Sequence, residues 1–291
     1  KIDFCTGKLE LDTKNPGDVV FLIGQEWGSD LQGNIRAIKA MDMKTGGSIL
    51  RVRTTKDSAW RELKRWPLGA LFDGYIAGFS EDGTSLFVTS SENSDKTQLI
   101  EINAETGKVT NVIAQDPRCD IYPESFLLDP GSGKIQAYEV DYLKPEWKVL
   151  DKNIASDFSR LKSFKKGHFT VISRDRSDSK WIVSYMFDDG SKSFYLYDRQ
   201  SGKIQFLFDD RPELKKYALA PMKPVIISAR DGLKMVSFLT LPNGIEPKQL
   251  PLVLYVHGGP TARDSWGYEP LVQMLANRGY AVINTEFRGS T

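Results

Sequence analysis

Two adjacent glycines, placed directly after an apolar run, are the residues of this sequence whose type and spacing best suit chemistry. The run over residues 252–256 leads through His257 into Gly258 and Gly259. A glycine has no Cβ atom to keep a bound group away from its backbone. A preorganised backbone N–H can then stabilise the negative charge that develops on a carbonyl oxygen during acyl transfer. The pair could equally form a turn after a buried strand, and spacing alone leaves both interpretations open.

Histidine, the commonest general base, occurs twice in the sequence, as His168 and His257. His257 stands beside the glycine pair and therefore invites an assignment as a catalytic base. His168 begins a predicted strand and is interpreted as a structural residue. No group of His, Cys, Asp and Glu residues has the spacing of metal ligands. We therefore expect neither a metal nor another cofactor.

Composition narrows the possible partners. Lys and Arg number 39 against 38 Asp and Glu, a net charge of +1. This balance argues against a nucleic-acid partner, because such proteins usually carry a basic surplus. No apolar run approaches the ~20 residues that a membrane helix needs. The two cysteines, Cys5 and Cys119, are too few for a disulfide framework but could form one bridge.

The sequence does not decide the compartment or the oligomeric state. No signal peptide is visible, but the first residue is Lys1 and not Met, so a removed leader remains compatible with the sequence. The cytoplasm, the periplasm and secretion all stay open.

Short strands separated by turns must position these residues, and they fill the chain as far as Lys216. The clearest hairpin signal is Asp82-Gly83, which stands between two apolar-rich segments. Similar turns follow at Gly131 and Asp178, at spacings of 48 and 47 residues. A Gly-Lys pair at residues 107–108 returns at residues 202–203, and residues 42–46 resemble an earlier copy.

A repeat of four strands every ~40–50 residues predicts the blades of a β-propeller. A β-sandwich is the alternative, since its strands also alternate with turns, but the fixed period favours the propeller. Roughly four blades fit before Lys216. Known propellers have about 4–8 blades, so we expect further blades upstream of Lys1 and assign residues 1–220 to this domain.

After Pro221 the pattern of elements changes. A hairpin is predicted at Asp231-Gly232, and residues 252–256 read as a strand buried on both faces. A helix is predicted from Pro270 to a C-terminal cap at Gly279, followed by a strand over residues 280–284. Strand, helix and strand in this order predict a parallel βαβ unit. Residues 221–291 are therefore assigned to the start of an α/β domain.

Taken together, the last segments resemble the prolyl oligopeptidase family of serine peptidases, in particular its acylaminoacyl-peptidase-like branch. The match covers about residues 218–291. The strings that carry it are Leu254-Tyr255-Val256-His257-Gly258-Gly259-Pro260, Arg263-Asp264-Ser265-Trp266-Gly267-Tyr268, residues 273–282 and Phe287-Arg288-Gly289-Ser290-Thr291. Upstream of residue 218 the resemblance rests on blade architecture alone.

The resemblance implies a propeller that caps an α/β-hydrolase domain and restricts its active site to short peptides. It also implies a Ser-Asp-His triad in that chain order, with the serine in a Gly-x-Ser-x-Gly elbow. That elbow is absent, because residues 83–87 depart from it at the last glycine and residues 289–291 end too early. The triad is expected beyond Thr291, and this stretch alone is expected to be inactive.

Within the sequence, the resemblance assigns Gly258 and Gly259 to the oxyanion-hole loop, with Gly259 as the preferred N–H donor. It argues against His257 as the base, because the base follows the serine in this family. His257 is then a structural histidine that orients the loop.

The residues that follow the glycines are candidates for the substrate cleft. Arg263 and Tyr268 are the foremost, and Trp266 is a third. The alternative is a surface arginine with two packing aromatics. Arg288 matches a family position, but we assign it no role.

Three functions remain open at this point. The favoured one is a serine peptidase that acts on short peptides through an acyl-enzyme. An esterase or acylamino-acid-releasing hydrolase on the same scaffold is the second, and a non-catalytic propeller that binds peptides or proteins is the third. A protein that ended at Thr291 is also expected to aggregate, because its parallel sheet would expose an unpaired edge.

Overall fold

The computed structural model describes residues 5–11, 13, 27–70, 72–122, 125–259 and 261–291. The chain divides into two compact units, Lys1–Ile135 and Gln136–Thr291. Strands dominate both units. No helix of the described residues has the length and apolar character of a membrane span.

Two four-stranded antiparallel sheets, each with its strands in chain order, make up most of the first unit. Their strands are β1 (Trp27–Ser29), β2 (Ile35–Met41), β3 (Ser48–Val52) and β4 (Arg61–Trp66), then β5 (Ile76–Phe79), β6 (Ser85–Ser90), β7 (Gln98–Asn103) and β8 (Val109–Ala114). A short strand, β9 (Phe126–Leu128), follows. Side chains from both sheets, including Leu50, Trp66, Leu86 and Ile102, form one buried apolar cluster.

The second unit begins with an antiparallel strand pair and continues with a third four-stranded antiparallel sheet. The pair is β10 (Ile135–Asp141) and β11 (Pro145–Val149), and the sheet is β12 (His168–Arg174), β13 (Lys180–Met186), β14 (Ser193–Asp198) and β15 (Ile204–Asp209). Between them lies helix α1 (Ala155–Phe164). Successive four-stranded sheets of this kind are the blades of a propeller, as the turn spacing predicts.

The repeated Gly landmark corresponds to one type of hairpin turn. In each copy an Asp or Asn side chain accepts hydrogen bonds from N–H groups two or three residues further on, and a glycine four residues further on has a positive φ. The copies are Asp42 with Gly46 (φ +73°), Asn103 with Gly107 (φ +70°) and Asp198 with Gly202 (φ +69°). Such a backbone favours glycine, which explains why the pattern is visible in the sequence. The first copy joins the second and third strands of its sheet, and the other two join the third and fourth.

Helix α1 is an element that the strand pattern does not predict. Its buried face carries Phe158 and Leu161. The Phe158 ring packs edge-on against Trp147, Phe169 and Trp181, with centroid distances of 5.5, 5.2 and 6.1 Å. The helix therefore belongs to the core beside the sheet β12–β15.

A mixed four-stranded sheet closes the chain, in the order β16-β17-β19-β18. Its strands are β16 (Met222–Ser228), β17 (Lys234–Thr240), β18 (Leu252–Tyr255) and β19 (Ala281–Thr285), and helix α2 (Pro270–Ala276) connects the last two. β18 and β19 are parallel, so the predicted βαβ unit is confirmed. Gly279 follows α2 with φ +88°, and its N–H donates to Ala276 O.

The expectation that β18 is buried on both faces is wrong for this structure. Leu252 and Leu254 are each 61% exposed. The physical reason is that β18 is the edge strand, because its pairing within the described residues is with β19 alone. The helix α2 packs against β19 and β17.

Candidate active site

The candidate site lies at the carboxyl edge of the parallel pair β18 and β19. The carboxyl ends of parallel strands meet at one edge of a sheet, where α/β folds bind their ligands. The segment after β18 (residues 257–259 and 261–269), here called the glycine loop, therefore meets the segment after β19 (residues 286–291). A hydrogen bond from Thr291 N to Ala262 O, at 3.1 Å, joins the two.

The glycine pair is exposed at the start of this loop. A Cβ atom at Gly258 would meet nothing within 4 Å. Gly259 has φ +138°, and a Cβ atom there would lie 2.8 Å from Thr261 N. In the part of the chain that the structure describes, neither glycine N–H donates a hydrogen bond. Pro260, the last residue of the predicted motif, lies outside the described residues.

His257 is fixed within the two segments. Its Nδ1 lies 2.8 Å from Gly258 O and its Nε2 lies 2.8 Å from Ser290 Oγ. The imidazole stacks on Phe287 with a centroid distance of 4.4 Å, and its side chain is only 7% exposed. These contacts hold the imidazole between the glycine loop and the segment after β19.

Glu286 is a site residue that sequence reasoning missed. Its Oε1 accepts a hydrogen bond from Asp264 N at 2.9 Å, and its Oε2 lies 3.4 Å from His257 Nε2. Oε2 is buried and has no hydrogen bond. Burial raises the pKa of this carboxyl, although the Asp264 N–H and the nearby charge of Arg263 lower it. The available signal was its place directly after a predicted strand and before the Phe-Arg-Gly-Ser-Thr string.

Arg263 is buried, with 5% of its side chain exposed. The guanidinium donates from Nη2 to Tyr142 O at 3.1 Å and from Nε to Asp264 O at 3.2 Å. Its Nε also lies 4.0 Å from Asp141 Oδ2, which accepts a hydrogen bond from Ser265 Oγ at 2.6 Å. These contacts connect the glycine loop to the end of β10. They direct the guanidinium toward acceptors of the protein itself and not toward solvent.

The two aromatic candidates have different surroundings. Trp266 is buried with Met222 and Phe238, and its Nε1 donates to Met222 O at 2.9 Å. Tyr268 is half-buried, with Arg211 5.4 Å above its ring. Tyr268 also lines a cavity of about 510 Å³ between the ends of β17 and α2.

The remaining candidates lie apart from the glycine loop. Arg288 is 68% exposed and forms an ion pair with Asp231 of the β16–β17 hairpin. His168 forms a hydrogen bond with Glu139 at 2.5 Å, between β12 and β10. Among the described residues there is no group of three or more His, Cys, Asp and Glu side chains that could hold a metal ion.

Comparison with known proteins defines the class. No family model matches the chain. A solved structure of a Mycobacterium tuberculosis puromycin-hydrolyzing peptidase superposes with a TM-score of 0.63 over 92% of this chain and 42% of that chain, at 19% identity. At that identity the likeness concerns the fold alone.

Relatives in sequence are peptidases. A dipeptidyl aminopeptidase BIII of Pseudoxanthomonas mexicana is 36% identical over 298 residues, which cover 100% of this chain and 42% of that protein. A dipeptidyl peptidase family member 6 of Caenorhabditis elegans is 28% identical over 261 residues, which cover 82% of this chain and 35% of that protein.

The propeller blades, the sheet with its glycine loop and these relatives agree, and the homologues of this chain are peptidases of the prolyl oligopeptidase family. The chain spans 42% of the length of the bacterial relative. Its place in the acylaminoacyl-peptidase-like branch stays a prediction.

Proposed function

We propose that the whole protein is a serine-type peptidase that releases dipeptides from the N-terminus of short peptides and needs no cofactor. The observation that carries this proposal is the pair of exposed glycine amides at the carboxyl edge of β18. The bacterial relative, a dipeptidyl aminopeptidase, supports the cleavage mode. In this account the boundary between the propeller and the hydrolase domain falls near residue 220, and the blades restrict access to short peptides.

The chemistry is acyl transfer in two steps. A serine hydroxyl attacks the scissile carbonyl carbon, a histidine accepts its proton, and the carbonyl oxygen becomes negatively charged. The N–H groups of Gly259 and Gly258 stabilise this oxyanion. Collapse breaks the C–N bond, the histidine gives the proton to the leaving amine, and water then hydrolyses the acyl-enzyme by the same sequence. The serine, aspartate and histidine belong to sequence that follows Thr291 in the whole protein.

Tyr268 is a proposed substrate contact, because it is half-buried at the end of the glycine loop. Arg263 fits that role less well, since its guanidinium is buried against Tyr142 O and Asp264 O. We propose that Arg263 instead holds the glycine loop in place.

Cleavage mode is tested with matched substrates of the whole protein. We expect dipeptidyl-p-nitroanilides with a free amino terminus to be cleaved at least about 100-fold faster in kcat/KM than their N-acetylated forms, a difference of about 2.7 kcal/mol in transition-state binding. Preference for the acetylated forms would point to an acylamino-acid-releasing enzyme, and cleavage of simple esters alone to an esterase. Peptide binding without any cleavage would identify a binding protein.

A further inference from the structure

His257 and Glu286 are buried beside one another next to the glycine loop. One belongs to the segment after β18 and the other to the segment after β19, and Nε2 and Oε2 are 3.4 Å apart. The pair is joined to the loop at two points. His257 Nδ1 contacts Gly258 O at 2.8 Å, and Glu286 Oε1 accepts from Asp264 N at 2.9 Å.

The contacts of the imidazole fix where its protons lie. A carbonyl oxygen can only accept, so Nδ1 carries a proton and donates it to Gly258 O. In a neutral imidazole Nε2 then carries a lone pair, and it accepts from Ser290 Oγ at 2.8 Å. That lone pair faces Glu286 Oε2, a buried oxygen with no hydrogen bond. An ionised carboxylate at this position would face a second acceptor.

One proton removes this conflict. If it is on Glu286, the carboxylic acid can donate to the single Nε2 lone pair in place of the Ser290 hydroxyl. If it is on His257, Nε2–H can donate to Ser290 Oγ, 2.8 Å away, and faces a carboxylate. The other charged groups that act on Glu286 are Arg263 and Asp264, both in the glycine loop, and they are of opposite sign. The stacked face of the imidazole is covered by the neutral ring of Phe287.

We propose that Glu286 is a positioning residue for the oxyanion loop, and that it acts by sharing one proton with His257. The shared proton holds the imidazole against Gly258 O and the carboxyl against Asp264 N, so the glycine amides stay in one orientation. Loss of the proton in alkaline solution leaves two acceptors in contact and releases the loop. The inference rests on the proposed function, since it assigns the loop to an oxyanion.

Variants of Glu286 in the whole protein test the proposal. In Glu286→Gln the side-chain amide can donate to Nε2 and the carbonyl can accept from Asp264 N, so the loop is held without a titrating proton. We expect kcat of the wild type to fall at alkaline pH and this fall to shift by at least one pH unit, or to disappear, in Glu286→Gln. Glu286→Ala should lower kcat about 10-fold, part of the 10²–10³-fold cost of deleting an oxyanion donor, with KM changed less than about twofold. Glu246→Gln, at an exposed site paired with Lys248, is the matched control.

A second readout does not depend on activity. In protein labelled with ¹⁵N-histidine, with His257 assigned through the His257→Gln variant, we expect Nδ1 of the wild type to be protonated throughout. We expect the Nε2 resonance to differ between the wild type and Glu286→Gln, because only the wild type can share a proton across this contact.

The outcomes separate the two hypotheses. Equal pH profiles and equal Nε2 behaviour in the wild type and Glu286→Gln overturn the shared proton. A wild type that cleaves no peptide contradicts the proposed function, while the Nε2 resonance still decides whether the proton is shared.

Discussion

At the scale of single residues, the backbone of Gly259 is the most specific requirement of the candidate site. Its φ is +138°, and a Cβ atom would have no room there because it would lie 2.8 Å from Thr261 N. We expect Gly259→Ala in the whole protein to lower kcat about 10- to 100-fold, because a displaced N–H loses much of an oxyanion donor's contribution. Steady-state kinetics measures this effect.

The matched control is Gly232→Ala. Gly232 also has a positive φ (+88°), and a Cβ atom there meets nothing within 4 Å. Both variants force alanine into a strained backbone, so both should lose some stability. A similar loss of kcat in both variants would mean that Gly259 matters for folding and not for the reaction.

Two aspartates of the first unit have pKa values shifted in opposite directions, so we expect them to change the free energy of unfolding with pH in opposite directions. Burial raises the pKa of Asp73, although Ser91 N and Ser91 Oγ donate to it at 2.8 and 3.1 Å. Its contribution to stability is therefore full below the ordinary pKa of 3.8 and is lost as the pH rises through the native pKa. Asp73→Asn can keep both hydrogen bonds, so we expect a higher midpoint of thermal unfolding at pH 7 and no difference near pH 3.

For Asp82 the pKa is lowered, so the effect of pH on stability has the opposite sign. Hydrogen bonds from Ser80 Oγ, Thr84 N and Thr84 Oγ lower its pKa to about 2. Its stabilisation is present above the ordinary pKa and is lost as the pH falls through about 2. Asp82→Asn should therefore lower the unfolding midpoint at pH 7, with a difference that shrinks toward pH 2. Changes of the same sign in both variants would contradict these assignments.

The glycine pair could be found from the sequence because a backbone position without room for a Cβ atom requires glycine. Sequence reasoning missed Glu286, because burial of a carboxyl beside His257 depends on which strand edges meet. It also could not find the partners of the Arg263 guanidinium, Tyr142 O and Asp141, because they stand some 120 residues earlier in the chain.

At the scale of elements, Arg263 connects the glycine loop to the end of β10. We expect Arg263→Met to destabilise the second unit by about 2 kcal/mol or more, because it removes two hydrogen bonds of a charged donor and leaves buried acceptors behind. Urea unfolding of the whole protein measures this. Arg288→Met is the control, and we expect no measurable change because its ion pair with Asp231 is exposed. Equal effects would remove Arg263 from its anchoring role.

Helix α1 contributes its own part of the core. We expect Phe158→Ala to destabilise the second unit by about 3–5 kcal/mol, the usual cost of deleting a buried aromatic side chain. Phe164→Ala, at the half-exposed end of the same helix, should cost much less. Both changes are compared by urea unfolding, and equal costs would show that α1 does not depend on its buried face.

The reason why α1 escaped prediction lies in the repeat itself. Ile154, Phe158 and Leu161 stand at helical spacing and are all buried. The search for strands and turns that repeat from blade to blade overlooks a short helical pattern of this kind.

The βαβ unit was predictable because Pro270 begins α2 and Gly279 lies in the turn after it. The predicted cap at Gly279 is wrong, since α2 ends at Ala276 and Asn277 is its C-cap. The exposure of β18 was not predictable, because an apolar run does not tell which strand is at the sheet edge.

At the scale of the whole molecule, the regular spacing of turn residues made the blades predictable. The sequence around Gly258 and Gly259 made the resemblance to the family recognisable. The chain spans 42% of the length of its bacterial relative. In the proposed reaction the described residues supply the glycine N–H groups of the oxyanion hole, and we propose that His257, Glu286 and Arg263 support them.

The most direct test of this account is the reaction of the whole protein with a fluorophosphonate probe, followed by intact-mass spectrometry. A serine peptidase should gain the mass of one probe, and peptide mapping should find it on a serine of a Gly-x-Ser-x-Gly segment after Thr291. The labelling rate should fall in Gly259→Ala, since the phosphonyl oxygen occupies the oxyanion site. A whole protein that gains no probe mass would contradict the central claim.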